Sequence, residues 1–486
     1  MKRFVLFFLA YLILNIVAAQ SSLQKAIDQL AADPDLKHAG LGICVIDVES
    51  GKVIAEYKKD QSLIPASSLK VVTTATTLSK LGEDFRFKTE LQYDGQLKSD
   101  GTLNGNLFIK GYGDPTLGSD RFDKTTSVDL LMNEFVQAVK KAGIKKINGK
   151  IIGDASFFTS SVNCRTWLWE DIGNYYASGA WGLNILENKF YLNFKQNPNL
   201  GGQPKIENTE PSIPNLLLIN EVRSAEANSG DNAYVFGSPY SYTRFVRGTI
   251  PIGNSTFTIK GAIPDPPFFA AQLLMEALES NGISTSKMAT SLFELERTGK
   301  TKASRTTIHV HQSPSLKEIV IETNLESVNL FCESMLRYLA ITKGNGSGPE
   351  VGLEVIYEFW KQKGLETEGF FIEDGSGLSP YNNVSAFHLT KIMQLIAKDQ
   401  KLYKTFNESL PIAGRSGTLK FMLRGTAAEN NLRAKSGGMK RVRSYTGFAR
   451  MKSGKLVSFS IIANHFSCKS NIMRRKMEKI MVEICR

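Results

Sequence analysis

Ser67 and Lys70 stand three positions apart in Pro65-Ala66-Ser67-Ser68-Leu69-Lys70. In a helix that spacing puts a hydroxyl and an amine on one side of the first turn. Lys70 is surrounded in sequence by Ala66, Leu69, Val71 and Val72, so its ammonium would be desolvated, which favours the neutral amine. A neutral amine can take the Ser67 proton, while the helix N-terminus stabilises negative charge growing on Oγ. A structural reading competes: Ser67 caps the helix and Lys70 extends its charge to solvent. Spacing alone does not choose, because Ser22/Lys25 and Ser284/Lys287 repeat it. Context favours Ser67, with Pro-Ala and a strand pair before it and a long apolar helix after it.

Two further groups could complete a site. Ser327-Val328-Asn329 opens an amphipathic helix, and Lys435-Ser436-Gly437-Gly438 opens a strand followed by two more. Each has a counterpart with a structural explanation: Ser161-Val162-Asn163, and Lys452-Ser453-Gly454 where two strands must turn. Metal chemistry has little support. His309 and His311 share one face of a strand but lack an H-E-x-x-H run or an acidic cluster, and read as structural. Five scattered cysteines fit neither a disulfide framework nor a C-x-x-C site, and at least one must stay unpaired.

These groups need elements to hold them. Leu23 to Leu30 has helical spacing, Gly42 to Tyr57 reads as two strands turning at Glu49-Ser50-Gly51-Lys52, and Ser67 to Leu81 is a buried helix stopped by Gly82. From Phe85 to Thr307 short β-like stretches alternate with turn dipeptides such as Asp94-Gly95 and Asn104-Gly105. One clear helix, Pro267 to Ser280, interrupts them, and the polar stretch Asn197 to Pro214 reads as loop. Helical spacing returns at Leu316 to Ile321 and Val328 to Leu339. Three strands, Leu432 to Met439, Ser444 to Met451 and Leu456 to Asn464, then precede a basic helix, Asn471 to Ile484. The expected organisation is a core of residues 20–84 and 309–486, interrupted by a β-rich insertion, 85–308.

The chain has 486 residues, 42% hydrophobic and 22% charged, with a net charge of +12. That is globular composition for about two to four domains and excludes disordered, collagenous and polytopic membrane classes. The charge is dispersed, without a basic arm, so nucleic acid is not an expected partner. Lys2 and Arg3, the apolar run Phe4 to Val17 and the small residues Ala18 and Ala19 read as a signal peptide of residues 1–19. The expected location is periplasmic or secreted.

The sequence resembles the serine D-alanyl-D-alanine carboxypeptidases/endopeptidases, the class C low-molecular-mass penicillin-binding proteins. The resemblance rests on Pro65 to Lys70, Gly111-Tyr112-Gly113-Asp114-Pro115-Thr116-Leu117, Asp374-Gly375-Ser376-Gly377-Leu378-Ser379, Gly414 to Leu419, and the S-x-N and K-S-G elements in that order. It implies an α/β fold: a transpeptidase/β-lactamase-like antiparallel sheet flanked by helices, with a large β-rich insertion. It implies that Ser67 attacks the bond between two D-alanines, that Lys70 activates it, and that Ser327 and Asn329 relay protons and orient substrate. Lys435 and Ser436 would hold the substrate carboxylate, and the Ser67 and Gly438 N–H groups would form the oxyanion hole. Asp154, in Gly153-Asp154-Ala155-Ser156, would face an amine on the substrate side chain, or else serve as a turn former. Peptidoglycan peptides are the implied substrates and β-lactams the implied covalent inhibitors; no metal or cofactor is required.

Two departures stand out: K-S-G replaces the commoner K-T-G, and Pro380 stands where relatives often carry Arg, which puts the peptide preference in doubt. A β-lactamase is the nearest rival, yet its E-x-x-L-N acid is replaced by Ala180 ahead of Leu183-Asn184. A non-catalytic sensor or wall-binding module is disfavoured by the intact polar set.

Overall fold

A strand that is apolar almost throughout must be covered on both faces, and Gly40–Asp47 is buried at every position but the first. In the computed structural model, which describes residues 21–122, 126–297 and 304–486, this strand lies inside a five-stranded antiparallel sheet. The expected signal peptide falls outside those residues. The sheet order is Arg433–Met439, Val442–Arg450, Leu456–Asn464, Gly40–Asp47, Val53–Tyr57, so the two ends of the chain meet in its middle, with Ile43 opposite Ile461. Alternation sends neighbouring side chains to opposite faces. Ile43, Val45, Phe459 and Ile461 pack with Leu23 and Ile27 of the helix Ser22–Ala31 and Met473 and Met477 of the helix Ser470–Ile484. Phe448 and Ile462 pack in a second cluster with Val71, Val72, Ile319, Phe331 and Leu389.

The second cluster holds the helix Lys70–Leu81, buried from Lys70 to Leu78. Its threonines satisfy their hydroxyls: Thr74, Thr76 and Thr77 donate to carbonyls one turn back at 2.7–2.8 Å, and Thr73 donates to the distant Gly375 C=O at 2.7 Å. Helices Leu316–Glu326, Asn329–Lys343 and Ala386–Lys398 contribute to the same cluster.

The intervening chain builds a separate mixed sheet, ordered Ala289–Ser291, Ile151–Asp154, Leu107–Gly111, Lys88–Tyr93, Thr306–Gln312. It packs against helices Val128–Lys141 and Pro266–Ser280, and three three-stranded sheets join it. His309 and His311 lie in its last strand and share Glu134, His309 Nε2 at 2.5 Å and His311 Nδ1 at 2.9 Å. The inserted sheet therefore runs to Gln312, beyond the boundary expected before His309.

Several expectations need correction. Pro266–Ser280 is not the lone helix of the inserted segment: Val128–Lys141 buries Leu131, Met132, Phe135, Val136 and Val139 at helical spacing. The polar stretch after Asn197 contains a strand, Lys205–Glu210, which pairs with Lys189–Lys195 and is exposed at four of six positions, so its composition looks like loop. Helices Pro349–Gln362 and Gln400–Ser409 add to the core. All five cysteines are free thiols.

Candidate active site

The chain does not enter the Lys70 helix directly. Ala66–Leu69 is a 3₁₀ turn, and the α-helix starts at Lys70. In 3₁₀ geometry residues i and i+3 eclipse, so Ser67 and Lys70 align more closely than an α-turn would allow. Ala66 is left-handed, with φ 47°. Two glycines let other chain segments close on this turn: a Cβ at Gly377 would fall 2.0 Å from Ala66 O, and one at Gly437 would fall 2.5 Å from Pro65 O and 2.8 Å from Ser68 N. Ser444 Oγ donates to Pro65 C=O at 2.5 Å, tying the turn to the sheet.

Lys70 is wholly buried. Its Nζ lies 3.0 Å from Ser67 Oγ and donates to Asn329 Oδ1 at 2.6 Å and Ser376 C=O at 2.7 Å. Asn329 Nδ2 donates to Tyr176 C=O at 2.8 Å, which fixes the amide with its oxygen toward Lys70. The last two acceptors can only accept, whereas a hydroxyl can also donate, so a neutral Lys70 would direct its lone pair at the Ser67 O–H. Burial lowers the Lys70 pKa, against smaller opposing influences of Cys332, Asp374 and Glu333.

Lys435 is also wholly buried. It donates to Ser327 Oγ and Ser436 C=O, both at 2.9 Å. Burial, followed by the like charge of Lys70, takes its pKa well below the ordinary 10.5. Ser327 occupies a left-handed link, φ 61°, between the helices Leu316–Glu326 and Asn329–Lys343. Ser327 and Asn329 thus serve two different lysines from two adjacent helix ends. Ser436 Oγ donates to Thr418 Oγ1 at 2.8 Å. On the edge strand Ala434 N–H points outward, donating to Pro411 C=O at 3.0 Å, and alternation places the N–H groups of Ser436 and Gly438 on that outer side.

Ser67, Lys70, Ser327, Asn329, Lys435, Ser436 and Gly438 therefore come from the turn, the linked helices and the strand that converge here. Asp154 is engaged elsewhere. Its buried carboxylate accepts from Lys110 Nζ at 3.1 Å, Arg305 Nη1 at 2.5 Å and Ser156 N–H at 2.8 Å. Burial works to raise its pKa, but these partners hold it below 3.8. The counterparts are structural or exposed: Asn163 donates to Ala177 C=O, Gly454 closes a strand turn on Met451 C=O, and Lys25 and Lys287 face solvent. Sequence reasoning missed the carbonyls of Ser376 and Tyr176, which carry no side-chain signal. It also missed Glu333, one turn beyond Asn329, whose buried carboxyl is pushed up to about 7 by burial and then by Asp374. The spacing from Asn329 could have revealed it.

The sequence profile of the D-Ala-D-Ala carboxypeptidase 3 (S13) family matches residues 23–486. The chain belongs to that family. This S13 chain is 28% identical, over 93% of its length and 82% of the relative's, to a D-alanyl-D-alanine carboxypeptidase of Actinomadura sp. (strain R39). It is 26% identical to the D-alanyl-D-alanine carboxypeptidase DacB of Haemophilus influenzae, over 88% of its length and 86% of the relative's. A crystal structure of penicillin binding protein 4 (dacB) from Haemophilus influenzae shares the S13 chain's fold, with a TM-score of 0.77 at 24% identity, covering 94% of this chain and 97% of that one. The α/β architecture expected from the sequence, an antiparallel sheet flanked by helices and carrying a β-rich insertion, is the one observed.

Proposed function

We propose that this S13 chain is a serine D-alanyl-D-alanine carboxypeptidase and endopeptidase acting on peptidoglycan stem peptides. The observation that carries the reading is the 3.0 Å approach of Lys70 Nζ to Ser67 Oγ in a setting whose other acceptors are neutral. The Lys70 amine takes the hydroxyl proton as Oγ attacks the carbonyl between the two D-alanines. Oxyanion charge is received by the N–H groups of Ser67 and Gly438. The proton now on Lys70 is relayed by way of Ser327, hydrogen-bonded to Lys435, to the departing amine, so that the terminal D-alanine leaves and Lys70 is again a neutral amine. Water then cleaves the ester, with Lys70 again as base, and returns Ser67 to its hydroxyl form. Lys435 and Ser436 face the substrate carboxylate, and Asn329 orients the peptide. The same steps cleave a cross-link when the departing amine belongs to a neighbouring stem.

A β-lactam carries a comparable amide, and its ring opening would leave an ester on Ser67. One solved relative of this fold is complexed with a β-lactam. Hydrolysis of that ester as a β-lactamase is disfavoured, because Ala180 offers no acid and Asn184 is engaged by Trp181 N–H and by the carbonyls of Asp114 and Trp181. Asp154 would recognise a substrate amine only if that amine took the place of Lys110. Residues 1–19, read as a signal peptide, support a location in the periplasm or outside the cell; among the described residues no helix is long and apolar enough to cross a membrane.

Labelling with fluorescent penicillin followed by peptide mapping tests the reading. Label is expected on Ser67 and absent from Ser67→Ala; label on Ser22 or Ser284 would overturn it.

A further inference from the structure

A cavity of about 300 Å³ opens in the inserted region, away from Ser67, between the segment 153–162, the Trp181–Gly182 step, Tyr240 and the helix Leu292–Arg297. Its aromatic wall is held from several directions. The Tyr240 ring stacks on Phe293 at 4.2 Å and 20°, and meets Trp181 edge-on at 5.0 Å. Tyr240 is left-handed, φ 63°, with its N–H donating to Pro264 C=O at 2.8 Å. Trp181 Nε1 donates to Ser178 C=O at 3.1 Å. Hydroxyls of Ser156 and Thr159 and the exposed carboxylate of Glu296 complete the rim.

Rigid aromatic faces beside hydroxyls and one carboxylate suit a ligand with an apolar face and a ring of hydroxyls, which is the chemistry of a saccharide. Glu296 disfavours an anionic ligand at the mouth. Position adds to the argument. Trp181 is five residues from Tyr176, whose carbonyl is bonded to Asn329, so the cavity wall lies within about 18 Å of the Ser67 cluster. Arg337, on the helix that begins with Asn329, donates to Ser161 C=O at 2.5 Å and Thr159 Oγ1 at 3.4 Å, which ties the cavity's loop to that cluster.

We propose that this cavity binds an N-acetylhexosamine ring of the glycan strand that carries the stem peptide, so that the polymer is gripped at the insertion while its peptide reaches Ser67. The proposal rests on the peptidoglycan reading given above. The site distinguishes polymeric from soluble substrate: the glycan contact adds to binding only when sugar and peptide arrive joined.

The test is calorimetric titration of the full chain with the neutral, peptide-free disaccharide of two β-1,4-linked N-acetylglucosamine rings, alongside assays on two substrates. The wild-type chain is expected to bind the disaccharide saturably, and Tyr240→Ala and the surface change Glu296→Gln to bind it about tenfold more weakly. Both variants should raise KM for D-alanine release from intact peptidoglycan about five- to tenfold, with release from free pentapeptide and penicillin acylation unchanged. Absence of saturable binding by the wild-type chain, equal binding by both variants, or a parallel loss on pentapeptide and polymer would overturn the proposal. Failure of the wild-type chain to take penicillin at Ser67 would instead overturn the enzymatic reading on which it rests.

Discussion

Lys70 and Lys435, in the core, are enclosed among hydroxyl, amide and carbonyl oxygens, whereas four partly buried cations of the inserted region meet carboxylates. Lys110 and Arg305 converge on Asp154, and Arg121 and Lys189 converge on Glu187, at 2.5–3.1 Å. The residue type is the same in Lys70 and Lys110, yet the surroundings assign opposite tasks. A carboxylate partner keeps an ammonium charged and turns it into a fastening. Neutral acceptors leave burial the dominant influence and let the amine give up its proton. In these lysines burial and partner act together: Lys70 and Lys435 are wholly buried among neutral acceptors, whereas Lys110 and Lys189 keep 15% of the side chain exposed and meet a carboxylate.

The largest effect should come from Lys70→Ala, with penicillin acylation falling about 10³-fold or more while Lys25→Ala and Lys287→Ala stay at the wild-type rate. Because Lys70 must be neutral to accept the proton, wild-type acylation should rise with pH through a pKa lowered from 10.5. A Lys70→Ala rate within tenfold of wild type would break the comparison. Next, Lys435→Ala should weaken turnover of peptides with a free terminal carboxylate by about 10–100-fold, as for a lost charge-assisted hydrogen bond, while Lys452→Ala is silent. Equal effects at Lys435 and Lys452 would show that the wrong K-S-G had been chosen.

On the paired side, Asp154→Asn should act mainly on stability, lowering it by about 1–3 kcal/mol in thermal or urea denaturation as Lys110 and Arg305 lose their counter-charge. A change in the ratio of amine-bearing to amine-blocked peptide cleavage would sharpen the comparison differently, by showing that substrate displaces Lys110. The smallest effect concerns Glu134 with His309 and His311. Burial opposes the His311 charge, but the Glu134 hydrogen bond raises its pKa above 6.5. The two histidines hold Glu134 below 4.5 despite its burial. The His311 contribution is complete below 6.5 and is lost as pH rises through the raised value; that of Glu134 is complete above 4.5 and is lost as pH falls. His311→Gln should therefore lower Tm by about 1–2 °C between 4.5 and 6.5 and progressively less at higher pH. A uniform loss across the pH range would assign His311 to packing alone.

Core elements were readable where one periodicity dominated, as in Gly40–Asp47 and Lys70–Leu81. Val128–Lys141 escaped because turn dipeptides around it drew the reading toward strands, although its apolar residues recur at helical spacing. Lys205–Glu210 escaped because an exposed strand needs little apolar surface. For the site, polar residues in three short motifs identified the side chains. The 3₁₀ turn at Ala66–Leu69 did not show, because segments hundreds of residues away close on it, and the left-handed Ser327 did not show, because it is a one-residue turn between two helices that carries no glycine. Asp154 illustrates a further limit: a carboxylate's partner depends on which cations the fold brings to it, and Arg305 is 151 residues distant in sequence.

The sheet's middle pairing, Gly40 to Asp47 against Asn464 to Val457, bears on how the molecule is made. Asn464 also clasps Ile64, accepting from its N–H at 2.7 Å and donating to its carbonyl at 3.0 Å, just ahead of the Ser67 turn. During synthesis the first strand therefore has only its hairpin neighbour Val53–Tyr57 until a second partner more than 400 residues behind it arrives, and the turn waits for the same segment. Pairings this distant form late and slowly. An emerging chain thus carries Ser67 and Lys70 without the geometry that couples them, and reactivity toward the wall, or toward an antibiotic, begins only when the carboxy-terminal strand arrives.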